Sequence, residues 1–477
     1  MKTIRINKEA VIVFVIFLLG LFLRLMQMGS GFWHDEAASL LISEGTLFEV
    51  LNHVKGDFHP PIFYWLLNLW RMYAGNSEAL IRLPFVILSS LAIPFTYLLG
   101  KKMTGSKNAG VWASVFLSVN PLHIYYSDEL RMYGLATTFC VLSWLCLYLK
   151  QDKKTLVLYL ISTVIGLFTF YGLWFSLVAQ MIVLFNQKRY RWMIITAMFC
   201  FGLLLWWWPV LKVQLTGSTF MSSSLPGWAA LSGDLNIKTL LMIPLKWVIG
   251  RLNVSDDKAL LLSSLGALGY TIFVAAWALR NRKVKDVLIA LFVPILIAII
   301  ISTKAPMLGY WRYIYLIPFF SILLSIGLLN MEKQAEYLNF GALFTIFLFC
   351  NLTYFMTPRY WREDWKGVSE FFSQTKSDKT VAIYTFFDTF PAAKWYLNYM
   401  QNEPVLNDLR AGTEKFDYRM TAITKGKDNI IVFDYLNDLT DRERSVKKWL
   451  DMAGFKVKGV YSFRGVGQIY EYRPSVK

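Results

Sequence analysis

Residues 155–187 read TLVLYLISTVIGLFTFYGLWFSLVAQMIVLFNQ. The run is apolar nearly throughout and about 30 residues long, whereas about 20 such residues cross a bilayer. It therefore divides into two crossings that meet at Tyr171-Gly172. The division sets the sidedness of everything after it. With two crossings, Arg280, Arg282, Lys283 and Lys285 fall on the same side as the earlier basic loops. With one crossing they fall on the opposite side, against the bias of Lys and Arg toward the cytoplasm.

Working outward, apolar stretches lie near 10–28, 80–100, 109–122, 131–149, 155–171, 172–187, 191–210, 258–279, 286–303, 312–330 and 338–356. The chain of 477 residues is 56% hydrophobic and only 17% charged, too apolar for a soluble domain. The fold expected is a polytopic α-helical membrane protein with about eleven transmembrane helices. The first stretch has a basic flank but no small-residue cleavage site after it, so it reads as a retained signal anchor. The N-terminus is then cytoplasmic and the region after residue 356 lies outside.

The net charge of +17 comes from short basic connections. They are Lys2, Arg5 and Lys8; Lys101, Lys102 and Lys107; Lys150, Lys153 and Lys154; Lys188, Arg189 and Arg191; and the 280–285 group. Every second connection is basic, as the cytoplasmic side of a membrane protein requires. No basic stripe with interleaved aromatics accompanies them, so nucleic acid is not a partner; the bilayer is. Cys140, Cys146, Cys200 and Cys350 sit inside apolar runs, where thiols act as small hydrophobes. No Cys/His spacing indicates structural zinc.

Residues 1–357 form the membrane part, with a first outer loop at 29–79; residues 358–477 form a soluble extracytoplasmic α/β domain. Within the loop, Pro61–Tyr73 is apolar but too short to span, and is expected to be a helix lying in the interface. In the tail, Thr380–Phe387, Asn429–Leu436, Phe455–Phe463 and Gly467–Arg473 read as strands. Helices are expected after Asp364, an N-cap, and after Thr440, with Gly454 as a stop.

All four histidines and several acidic groups fall on the outer side. An ionisable group near hydrocarbon is costly, so such groups mark where the protein works. Asp35-Glu36 follows Trp33-His34; the pair caps a helix or supplies a general base. His59-Pro60-Pro61 starts the interfacial helix, and His59 is a candidate substrate or metal contact. A divalent cation is left open, since no tight ligand spacing demands one. His123 opens a turn that runs through Asp128, Glu129 and Arg131; Arg131 has the planar fork that suits a phosphate. Arg24, Arg82, Lys304 and Arg312 stand at the outer ends of spans, as snorkelling anchors or as parts of an anionic headgroup site.

Together these motifs resemble the GT-C glycosyltransferases of families 39 and 83, the group of the protein O-mannosyltransferases and the lipid A aminoarabinose transferase. The resemblance rests on Trp33-His34-Asp35-Glu36-Ala37, His59-Pro60-Pro61-Ile62-Phe63-Tyr64-Trp65, Arg82-Leu83-Pro84 and Tyr126-Ser127-Asp128-Glu129-Leu130-Arg131-Met132-Tyr133. Arg312-Tyr313 with Pro318, and Arg362-Glu363-Asp364-Trp365, agree with it. It implies a membrane enzyme that takes a sugar from a polyprenyl-phosphate donor and passes it, with inversion, to an extracytoplasmic acceptor. By position in the motif Asp35 is the catalytic carboxylate. Glu36, His59, Asp128, Glu129, Arg131, Arg312 and Arg82 are implied around the substrate, the arginines neutralising the departing phosphate. The chain has His59-Pro60-Pro61 where the aminoarabinose transferases have Glu-Lys-Pro, which points away from a lipid A–type acceptor. The rival readings are a transporter for lipid-linked sugars and a non-catalytic scaffold. A transporter should carry ionisable groups at mid-membrane in repeated halves, and these charges collect instead at the rim.

Overall fold

The computed structural model describes residues 7–224, 227–254, 257–374, 377–405 and 413–475. Lys2 and Arg5 lie outside the described residues. The chain divides into two compact units. The first comprises Met1–Gly29, Gly45–Thr219 and Ala229–Tyr360; the second comprises Ser30–Glu44, Phe220–Trp228 and Trp361–Lys477. Residues 30–44 of the first loop thus group with the tail.

The first unit is helical. Among the described residues, six helices are long and apolar enough to cross a membrane by length and composition. They are Glu78–Thr104, Tyr190–Gly217, Lys258–Arg280, Arg282–Ser302, Tyr310–Leu329 and Lys333–Met356. Helices also occupy the other expected stretches, at Lys8–Leu25, Lys107–Ser118, Tyr133–Cys146, Lys153–Leu167 and Leu173–Asn186. The run at 155–187 is broken at 168–172, between the last two of these. Asp152 caps the first of the pair, its carboxylate accepting the Thr155 amide at 2.9 Å. Polar side chains inside the bundle find one another. Tyr159 donates to Gln180 at 2.9 Å, Gln180 to Ser143 at 2.8 Å, and Trp144 to Ser176 at 2.9 Å. The four cysteines are free and buried.

The interfacial segment forms the helix Ile62–Ala74. It buries Phe63, Tyr64 and Leu67 and leaves Leu69, Met72 and Tyr73 exposed, an apolar outer face suited to lipid. The helix Ile237–Ile249 was not expected within the long outer loop; Pro244 and Lys246 interrupt its apolar pattern.

Arg24 does not snorkel. It is fully buried. Its guanidinium donates to the carbonyls of Gly20 (2.7 Å), Ser118 (3.0 Å) and Leu117 (3.0 Å) and to Ser127 Oγ (3.2 Å). It also donates to His123 Nδ1 at 2.8 Å, which fixes the proton of that ring on Nε2. One side chain therefore ties the first helix to the end of Lys107–Ser118 and to the helix Pro121–Ser127, which Asn120 caps. Arg24→Met would remove all five of these hydrogen bonds from the interior, at about 1–3 kcal/mol for each polar group left without another partner. The expected result is a thermal midpoint lower by several degrees in detergent, read by fluorescence-detected size exclusion.

In the second unit, β1 (Thr380–Tyr384), β2 (Gln401–Pro404), β3 (Asn429–Phe433), β4 (Phe455–Phe463) and β5 (Gly467–Pro474) form one sheet in the order β2-β1-β3-β5-β4. The pairs β1–β2 and β1–β3 are parallel; β3–β5 and β4–β5 are antiparallel. β2 was not expected, because its sequence Gln-Asn-Glu-Pro carries no apolar pattern and it pairs as an edge. β1 and β3 are buried on both faces, which explains their unbroken apolar sequences. Val381, Ile383, Ile430 and Val432 face Phe416, Met420 and Leu450. Ala382, Tyr384, Ile431 and Phe433 face Trp365, Val368, Phe372 and, from the first loop, Ala37. Asp364 caps the helix Trp365–Ser373, and Gly454, at φ 85°, ends Ser445–Met452.

Candidate functional site

The first unit gathers several charged groups around the loop that leads into the helix Ile62–Ala74. Pro60 and Pro61 stiffen that loop, and several groups hold it from outside. The Ile62 amide donates to the Phe168 carbonyl at 3.0 Å, inside the break that divides the long apolar run. Gln214 Nε2 donates to the carbonyls of Val54 (2.8 Å) and His59 (3.1 Å). Tyr171 donates to Gln214 Oε1 at 2.7 Å, and Trp207 donates to Tyr171 at 2.6 Å. The break thus serves as a dock.

Within the loop, Asp57 Oδ2 accepts from the Tyr64 hydroxyl at 2.6 Å and pairs with His59 Nδ1 at 3.1 Å. Burial would raise the Asp57 pKa, but the His59 imidazole, Arg131 and the Tyr64 hydroxyl hold it well below the usual carboxylate range. Burial pushes His59 down, with Arg131 and Arg312 adding to it and Asp57 opposing. A neutral ring with its proton on Nδ1 toward Asp57 presents Nε2 as an acceptor. The ring stacks on Phe170 (centroids 6.4 Å apart), and Phe170 meets Tyr133 edge-on at 5.6 Å.

Arg131 and Arg312 both act on His59, so the structure brings these three expected residues into one electrostatic neighbourhood. Arg312 also donates to the Pro306 carbonyl at 2.8 Å. Asp128, Glu129 and Arg131 are buried in the turn before Tyr133–Cys146, and the charge of Asp128 reaches Arg24. Arg82 is buried and donates to the Met28 carbonyl at 2.7 Å. Lys304 is exposed.

A second group of cations was missed by sequence reasoning. Gly250 turns the chain with φ 65°, and a Cβ there would come within 2.8 Å of Pro121. The turn sets Arg251 over the Tyr125 ring, 5.1 Å from its centroid, and in hydrogen-bond contact with the Tyr310 hydroxyl. Lys246, one helical turn earlier, is buried; its Nζ donates to the Leu252 carbonyl at 2.6 Å and lies 5.7 Å from the Tyr310 ring centroid. Burial, and then Arg251, push the Lys246 pKa down to about 7. Tyr126 feels Arg251, Tyr310 and Glu129, which links this group to the turn ending at Arg131. Two cations five residues apart across a glycine gave no periodic signal. Asp57 and Tyr64 were missed too, although Asp57 stands two residues before His59.

Asp35 and Glu36 lie in the second unit, in the helix His34–Ile42. Glu36 is fully buried and accepts the Trp33 amide at 3.3 Å, so it caps its own helix. Asp35 is partly buried, and its charge reaches Glu363. Among the described residues, no three His, Cys, Asp or Glu side chains form a group able to hold a metal ion.

Residues 58–210 match the family model described as dolichyl-phosphate-mannose-protein mannosyltransferase. An uncharacterized protein of Aquifex aeolicus (strain VF5) is 27% identical over 203 residues, which is 41% of this chain. The match spans 37% of that relative's length. ArnT from Cupriavidus metallidurans in the apo state shares the fold with a TM-score of 0.58 at 12% identity, over 97% of both chains. Its structure bound to undecaprenyl phosphate gives 0.54 at 11%, over 98% of both. The apo oligosaccharyltransferase of Archaeoglobus fulgidus gives 0.53 at 11%, over 100% of this chain and 75% of the other. Residues 58–210 are thus similar to that mannosyltransferase family, and along its length the chain shares its fold with ArnT and the archaeal oligosaccharyltransferase.

Proposed function

We propose that this protein is a glycosyltransferase that moves a sugar from a polyprenyl-phosphate donor to a hydroxyl-bearing acceptor on the outer face of the membrane. The observation that carries the reading is the gathering of Arg131 and Lys246, buried, with Arg312 and Arg251, half-buried, among aromatic rings and His59. Several cations gathered in a water-poor place outnumber the carboxylate that Arg131 acts on there, Asp57, and favour a further anion; a phosphate carried on a lipid is one that reaches such a place. That ArnT was solved with undecaprenyl phosphate supports this choice of ligand.

In the proposed reaction the acceptor oxygen attacks the anomeric carbon in line with the phosphate, and the configuration inverts. Asp35 takes the acceptor's proton. The cations neutralise the charge that grows on the departing phosphate, a contribution strengthened by exclusion of water. The topology that goes with this is about eleven crossings, a cytoplasmic N-terminus and residues 358–477 outside. The acceptor class is an envelope polymer, a lipid or a protein.

The test is a transfer assay on the purified full-length protein in nanodiscs with a panel of polyprenyl-phosphate sugars. Release of polyprenyl phosphate that depends on Asp35 supports the reading; no release from any donor counts against it. Asp57→Asn gives a smaller effect. Asparagine keeps an acceptor for Tyr64 but loses the charge that orients His59, so the donor KM is expected to rise about tenfold with little change in kcat.

A further inference from the structure

The Arg362-Glu363-Asp364-Trp365 motif opens the tail far along the chain from Asp35, and the proposed reaction does not use it. Its glutamate is half-buried in the second unit. Glu363 Oε2 accepts from the Trp365 indole at 2.7 Å and from the His34 backbone amide at 3.2 Å; Oε1 accepts from the Tyr435 hydroxyl at 2.8 Å. The His34 amide belongs to the first turn of the helix His34–Ile42, whose donors have no partner inside the helix. A carboxyl at that end also meets the positive pole of the helix dipole.

The surroundings fix both sides of this contact. Asp364 is held by its cap and by its amide, which donates to the Arg464 carbonyl at 2.9 Å. Gly465 closes over the glutamate so tightly that a Cβ there would lie 2.8 Å from Glu363 Cγ. On the other side, the His34 ring packs against Phe390 and Tyr435, each at 5.7 Å between centroids. The Phe32 amide donates to the Tyr396 hydroxyl at 2.8 Å, and the Phe32 ring meets Trp395 edge-on at 5.9 Å.

We infer that Glu363 is a positioning residue for Asp35: by bridging the His34 amide, the Trp365 indole and the Tyr435 hydroxyl, its carboxyl locks the first turn of the Asp35 helix onto the C-terminal sheet domain. The catalytic consequence rests on the reading of Asp35 as general base; the lock itself does not. The tail then holds the reactive carboxylate in place, besides any role it has toward acceptors. The titratable groups that act on Glu363 are Asp35 from the first-loop helix and Tyr435 from the segment after β3; His34 reaches it through its backbone amide, and Arg464, on the β4–β5 turn, donates to the Arg362 carbonyl at 2.9 Å.

Burial pushes the Glu363 pKa up to about 7; its three hydrogen bonds oppose this and Asp35 adds to it. The folded state therefore binds this proton more tightly than the unfolded state does. The contribution to stability is complete below the ordinary carboxylate range, falls as pH rises toward about 7, and is flat above that.

The test is hydrogen–deuterium exchange by mass spectrometry on the full chain in nanodiscs. Glu363→Ala is expected to speed exchange of the amides of 33–38 at least tenfold while β1 and β3 keep their protection. Glu363→Gln retains a carbonyl acceptor and is expected to keep the protection of 33–38. Corrected for intrinsic exchange, wild-type protection of 33–38 falls roughly ten- to hundredfold between pH 5 and 8, and Glu363→Gln abolishes that slope. In the transfer assay, Glu363→Ala lowers kcat with the donor KM within about twofold, and Glu363→Gln restores it. Unchanged exchange in Glu363→Ala, equal loosening of β1 and β3, or a wild-type slope in Glu363→Gln overturns the inference. If the exchange results hold and the wild type releases polyprenyl phosphate from no donor, the lock stands and the transferase reading falls.

Discussion

Asp35→Asn is expected to lower kcat about 10³-fold, within the range that loss of a general base produces. Asparagine has the size and shape of aspartate but cannot take a proton from a hydroxyl. The donor KM should stay close to wild type, because the phosphate is assigned to cations of the first unit. The helix should survive, since its caps are Glu36, which accepts the Trp33 amide, and Glu363, which accepts the His34 amide. Asp35→Glu keeps the base but moves it by one methylene, and about a hundredfold loss is expected for so small a displacement. The measurement is steady-state release of polyprenyl phosphate, with thermal midpoints showing that all three proteins are folded. Turnover of Asp35→Asn within threefold of wild type would remove Asp35 from the base role. A matching loss in Glu36→Gln would suggest damage to the helix, as Glu36 is a cap.

Much of the helical part was legible because burial in lipid leaves a coarse and periodic imprint. A crossing needs a long apolar run, basic residues mark its cytoplasmic end, and a run too long for one crossing must break. Tyr171-Gly172 was expected to hold that break, and the structure has it at 168–172. The strands at 455–463 and 467–474 were legible from their β-branched and aromatic residues and the turn between them. What the sequence hid depends on long-range packing. Ala37 joins the core beside Trp365, and nothing in the local sequence of either residue announces the other. Arg24 looked like any cation at the end of a span, yet its partners come from helices about a hundred residues away. For the site, motif position pointed to Asp35, His59 and Arg131. It did not reveal that Asp57 and Tyr64 hold His59, because those bonds depend on how the loop folds back on its own helix.

Arg251→Ala is expected to reduce kcat/KM for the lipid-linked donor about 10²-fold or more, the scale set by loss of a charge-assisted contact to an anion in a water-poor site. The guanidinium lies over Tyr125 and contacts the Tyr310 hydroxyl, so its plane is fixed before any ligand arrives. Arg251→Lys keeps the charge but loses the fork and the stacking, and about a tenfold loss is expected. Lys246 adds a pH signature. Its pKa of about 7 means that it is cationic at pH 6 and largely neutral at pH 8. A sugar phosphodiester keeps one negative charge over that range, so the change belongs to the protein. The free-enzyme profile of kcat/KM should therefore fall as pH rises through about 7, whereas Lys246→Met should start lower and show no such fall. If Lys246→Met keeps the wild-type profile, the lysine does not face the donor. If Arg251→Ala loses kcat alone at saturating donor, Arg251 contacts the phosphate only as it departs. A normal kcat/KM in Arg251→Ala would leave Arg131 and Arg312 as the phosphate ligands.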